Sequence, residues 1–148
     1  MLQKFRSMLK NEKGLTLIEL LAVVVILGII AAIAIPSIGA LIENSRNDAH
    51  AANAQQIINS ARLAVLETPA LTEIDLDTLI ADGFIEQIDD PDGEGYEGDT
   101  TVVTFTDGNI TGITLTNGEK QIVETFANGV TPITRANVVP VTPAQQGN

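Results

Sequence analysis

The chain has 148 residues, no cysteine, one histidine and a net charge of -11. The lack of cysteine excludes a disulfide framework, a thiolate metal site and a cysteine nucleophile, and a lone histidine leaves no nucleophile–base set to propose. The charge is unevenly divided: residues 1–14 hold four basic residues against one Glu, a net +3, and the remainder holds four against 18 carboxylates, a net -14.

After this basic leader, residues 15–35 form an apolar run in which only Thr16, Glu19 and Gly28 are not plainly apolar. As a helix the run spans about 31 Å, the thickness of a bilayer's hydrocarbon core. The preceding positive charge places residues 1–14 in the cytoplasm and the acidic body outside. The run is too long for an ordinary secretory signal, and Pro36-Ser37-Ile38-Gly39-Ala40 imitates a signal cleavage site only weakly. A plain signal anchor accounts for the leader and the run but not for Glu19. A carboxylate in a spanning segment is costly unless paired, and no Lys or Arg occurs between Leu15 and Glu43. The cation must therefore come from another molecule.

Gly14-Leu15-Thr16-Leu17-Ile18-Glu19-Leu20, with the apolar residues from Val23 to Pro36, resembles the N-terminus of type IV pilins and of the pseudopilins of type II secretion and competence systems. The resemblance covers about residues 10–60. It implies cleavage after Gly14 by a membrane aspartyl protease, prepilin peptidase, and methylation of the new amine on Leu15. Glu19 becomes the fifth mature residue, the group that neutralises the amine of a neighbouring copy, and Pro36 the twenty-second, where the family also tends to have Pro. One departure is that Leu15 stands where Phe is commonest. The resemblance also implies an assembly platform and its ATPase as partners, a single-pass precursor in the cytoplasmic membrane, and a final place in a filament at the cell surface.

From Leu15 to about Leu66 the sequence predicts one nearly continuous helix, kinked or locally melted at Pro36, which lacks an N–H. Beyond Pro36, apolar residues such as Ala54, Ile57, Ile58, Ala61 and Val65 recur at spacings of three and four, making a face on which a head folds. His50 falls among polar residues and reads as a surface histidine. Thr68-Pro69 ends the helix. Asp75 or Thr72 caps a short helix to about Asp82, and Phe84, Ile85 and Ile88 follow as core contacts. Strands are predicted over 100–106, 109–116 and 119–127, joined by Asp107-Gly108 and Asn117-Gly118 turns, with Gly112 at a bulge. The fold class is α+β and pilin-like: a long N-terminal helix with a small antiparallel meander on its C-terminal half. The divisions are a leader at 1–14, a membrane or filament-core helix at 15–36, a head at 37–137 and a flexible tail at 138–148.

Between these elements lies Asp89-Asp90-Pro91-Asp92-Gly93-Glu94-Gly95-Tyr96-Glu97-Gly98-Asp99, a loop by composition. Residues 67–107 carry 13 carboxylates and no Lys or Arg. Asp90, Asp92 and Glu94 have the alternate spacing of the first half of a calcium loop, with Gly95 at its sixth position. The twelfth position is Thr101, so the bidentate ligand is missing. The Asp90-Pro91-x-Gly93-x-x-Tyr96 arrangement resembles the calcium-binding loop of major pseudopilins. A solvated acidic loop and a calcium site through Asp90, Asp92 and Glu94 both remain open.

Two functions follow. The first is a structural subunit, not an enzyme, that polymerises into a pilus-like filament, with a secretion or competence pseudopilin as its variant. The acidic body argues against direct nucleic-acid binding. The second is a monomeric membrane-anchored cation-binding protein, which leaves Gly14, Glu19 and the long helix unexplained.

Overall fold

The computed structural model describes residues 2–127 and 129–142, with side chains described from Thr16 onward. Its first element, α1, is a helix over Leu2–Glu67. Pro36 lies inside it without interrupting it, so the local melting expected at this residue does not occur. A proline removes a single N–H from the ladder, and the turns on both sides still carry theirs. The chain divides into two compact units, one ending at Ile42 and the other beginning at Glu43.

In the first unit the described side chains from Thr16 to Ile42 are exposed all round the helix, Ala34 alone being half-buried. Leu17, Leu20, Leu27 and Ile35 are each 59–70% exposed. A helix that is apolar on every side has no folded core of its own to face.

The second unit is the head. There α1 turns amphipathic, with Ala54, Ile57, Ile58, Ala61, Ala64 and Val65 buried on one face. The helix stops at Thr68-Pro69, as the sequence predicts, with a last Thr68 N–H to Ala64 carbonyl bond of 3.0 Å. A short strand, β1 (Glu73–Asp75), leads into helix α2 (Leu76–Ala81). Asp75 caps α2 through its side chain, which accepts from the Thr78 N–H at 2.7 Å. Three longer strands follow: β2 (Val102–Thr106), β3 (Asn109–Thr116) and β4 (Lys120–Thr125). A 3₁₀ turn at Arg135–Asn137 precedes β5 (Val139–Pro140). All five strands pair antiparallel in sequence order.

The sheet therefore has two more strands than the three expected. β1 is only Glu-Ile-Asp, too short to show an alternating pattern. β5 contains a proline and lies in the stretch read as tail; its pairing of Gln121 with Val139 and Lys120 with Pro140 closes the sheet edge. The rest of that tail, residues 143–148, lies outside the described residues.

Asp107 and Gly108 both take positive φ, 51° and 74°, as a two-residue hairpin turn requires. Asn117-Gly118 behaves differently: Gly118 alone is at positive φ, and the Asn117 side chain closes the turn by accepting from the Glu119 and Lys120 N–H groups at 3.1 and 2.7 Å. The expected bulge is present, with Thr111 as the extra residue between the Gly112–Thr104 and Ile110–Phe105 pairs. Gly112 itself is needed for space, since a Cβ there would sit 2.8 Å from Thr104 Oγ1 and 3.1 Å from the Glu124 carbonyl. Val103, Phe105, Ile113, Leu115 and Ile122 join the α1 face, Leu79 and Ile85 in one core cluster, with Phe84 and Ile88 packed against it. Each wholly buried Ile or Leu contributes about 1.5–3 kcal/mol.

Candidate functional site

Two places in the chain concentrate chemistry. The first is the start of α1. Gly14 and Leu15 fall within the helix, and the side chain of Leu15 lies outside the described residues. Glu19 and Pro36 are both exposed on α1. The helix contains an 18-residue stretch of mean hydropathy 3.0, none of it buried, and it is the one helix among the described residues long and apolar enough to cross a membrane. Such a surface calls for lipid or another protein chain. Glu19 is the only charged residue from Leu15 to Ile42.

The second place is the acidic loop, which turns back onto α1 and is clasped there. Asp92 accepts from Arg46 at 3.2 Å, from His50 Nε2 at 2.9 Å and from Lys120 at 3.0 Å. Lys120 reaches on to Glu43 at 2.8 Å and to Asn47 Oδ1 at 3.2 Å. Asp90 accepts from the Asp92, Glu94 and Gly95 N–H groups and from Asn117 Nδ2, at 3.0–3.2 Å. Asn53 donates to the Asp89 carbonyl at 3.0 Å and to the Tyr96 hydroxyl at 2.9 Å. That hydroxyl lies 2.9 Å from His50 Nδ1, and the two rings meet edge to face. One proton assignment satisfies this chain of bonds: the Tyr96 hydroxyl accepts from Asn53 and donates to Nδ1, while the Nε2–H of His50 donates to Asp92.

His50 is therefore not the surface residue its polar neighbours suggest. It is 2% exposed, because the loop covers it. Its side chain and that of Asp90 are almost wholly enclosed, and Asp92 is only 9% exposed. Among the described residues no buried side-chain polar atom is left without a partner.

Burial pushes the Asp92 carboxyl upward, but the hydrogen bonds from His50 and Lys120, with the Lys120 charge, outweigh it and hold Asp92 at about 2, against an ordinary 3.8. Burial works against the Lys120 ammonium, yet Glu43 and Asp92 prevail and raise it. Burial, with the charges of Asp90 and Asp92, lifts the Tyr96 hydroxyl to about 12 despite the Asn53 hydrogen bond. An acid depressed in the fold stabilises it above the unfolded value and loses that contribution as pH falls through the folded value. Asp92 should thus give an acid limb between about pH 4 and pH 2. Tyr96 has the opposite sign: its contribution is whole below about pH 10 and lost by about pH 12. Melting temperature followed against pH should show both limbs, and Asp92→Asn should flatten the acid one while reducing the alkaline one in part, since its charge also helps raise Tyr96 and Lys120. An unchanged acid limb in that variant would contradict the assignment.

Of the three residues read as calcium ligands, two converge and one does not. His50, Asp90 and Asp92 each offer one ligand atom, and these atoms lie within 4.8 Å of one another. Glu94 stays exposed and outside that group. A calcium ion requires six to eight oxygen ligands. Here the oxygens of Asp90 and Asp92 are taken by backbone, amide, guanidinium and ammonium donors, and the third group is an imidazole. In this arrangement the residues do not fit calcium. The clasp residues Arg46, His50 and Lys120 could not be paired with the loop from sequence, since no spacing links them to it.

Among protein families, residues 9–35 match the one described as the prokaryotic N-terminal methylation motif. That motif is characteristic of type IV pilins and pseudopilins, and here it opens a long N-terminal helix followed by a five-stranded antiparallel sheet, an arrangement consistent with an α+β pilin-like fold. The motif points to a structural subunit rather than an enzyme. Comparison with curated proteins and with solved structures found no match.

Proposed function

We propose that the chain is the structural subunit of a type IV pilus-like extracellular filament. It is made as a single-pass precursor with its basic end in the cytoplasm, cut after Gly14, methylated on Leu15 and polymerised through α1. Glu19 receives the amine of a neighbouring copy and sets the axial register. Pro36, inside the segment that moves from lipid to filament core, is where the helix loosens during packing. The observation that carries this reading is the coincidence of the methylation motif at 9–35 with a helix exposed and apolar on every side. A pseudopilin of a secretion or competence system is the second reading, favoured by the Asp90-Pro91-x-Gly93-x-x-Tyr96 arrangement of the loop.

Intact-mass analysis of the cell-surface protein tests the processing steps. The expected mass is that of residues 15–148 plus one methyl group. Retention of residues 1–14 would instead favour a monomeric membrane-anchored protein.

A further inference from the structure

The negative charge of the head is concentrated in residues 67–107, and one side of α1 is free of it. From residue 43 onward it holds 17 carboxylates against four basic residues, yet residues 49–66 contain no Asp or Glu. The outward side of this stretch runs through Ala52, Gln56, Asn59, Leu63 and Leu66, and the last two are 55% and 76% exposed. Beside them stands Arg62, exposed and held along the helix by a 3.2 Å bond to Asn59. Arg46, Lys120 and Arg135 each pair with a carboxylate of the head. Among the described residues Arg62 does not. Next to it an open groove of about 370 Å³ has Val65 and Ile110 on its floor and Arg62 and Leu66 on its rim.

We propose that this carboxylate-free side of α1, with the groove and Arg62, seats the acidic face of a second copy of the chain, built from residues 67–107. Ten of the 13 carboxylates in that segment are exposed and it has no Lys or Arg, while the groove offers an unspent cation above an apolar floor. Charge complementarity of this kind fixes register and rejects wrong partners. The two surfaces differ, so the contact is heterologous, and repetition of a heterologous contact that does not close produces an open helical filament. Two acidic faces could not meet this way without mutual repulsion. The contact rests on the filament reading above and gives the heads a place in it, apart from the packing of the apolar segments.

The test uses the full-length chain in cells that assemble it. Arg62→Glu should lower the yield of sheared surface filaments about tenfold or more, because like charges are brought together, whereas Arg62→Lys should retain most of it. Both variants should melt as the parent does and lose residues 1–14 normally, since Arg62 is exposed. The cysteine-free sequence allows a second readout: Leu66→Cys labelled with benzophenone-maleimide should give, in sheared filaments, a covalent dimer whose adduct maps to residues 67–107 of the other copy. Parental filament yield from Arg62→Glu, or adducts on any other surface, overturns the contact while leaving the filament reading intact. A parent chain that is cleaved but never polymerises removes both.

Discussion

Glu19→Leu is expected to leave a precursor that inserts, is cleaved after Gly14, and forms no ordered filament. The substitution makes the membrane segment more apolar, so insertion is not the step that suffers. The loss comes on assembly. In a dry bundle of helices the amine on Leu15 of one copy needs a counter-charge, and removing one member of a buried pair costs about 3–5 kcal/mol because the other is left uncompensated. The cost recurs at every subunit added, so a defect tolerable in a dimer is prohibitive in a polymer. Glu19→Gln keeps shape and hydrogen bonding but not charge, and should fall between the parent and Glu19→Leu. Sheared-filament yield, read beside intact mass, checks this. Normal filaments from Glu19→Leu would remove the proposed role.

His50→Ala should be the most damaging single change in the head. His50 is 2% exposed and touches Asp92, Tyr96 and, more distantly at 3.7 Å, Asp90. The variant leaves a cavity and strips a donor from a carboxylate that is 9% exposed. Together these should cost about 3–5 kcal/mol, a large share of the roughly 5–15 kcal/mol that stabilises a domain. The melting temperature of the full-length protein in detergent should fall by about 10 °C or more. In an Asp92→Asn background the same substitution should cost clearly less, since the shared interaction is already gone. Equal losses in both backgrounds would mean that His50 acts by packing alone.

What could be read from the sequence was what is local. The Asp75 cap, the Asp107-Gly108 hairpin, the limits of β3 and the end of α1 each depend on residues a few positions apart. The methylation motif is likewise one continuous run. The clasp was hidden because its partners are 28 to 73 positions apart: Lys120 from Asp92 and Asn47, His50 and Asn53 from Tyr96. The cations that pair with Asp92 lie in α1 and β4, so a local count of charge in the loop does not find them. β1 and β5 escaped for another reason. Two or three residues carry no periodicity, and only tertiary pairing makes them strands.

The clasp also has a mechanical consequence. A pull on the Glu43–Asn53 stretch of α1 does not peel bonds away one after another. It strains the anchors at Glu43, Arg46, His50 and Asn53 together, because Arg46 and His50 both hold Asp92, Asn53 holds the Asp89 carbonyl and Glu43 is tied to Lys120 on β4. Bonds strained together must fail together, and several are charge-assisted. A cysteine-free head thereby acquires a tensile strut that re-forms after rupture without any redox step.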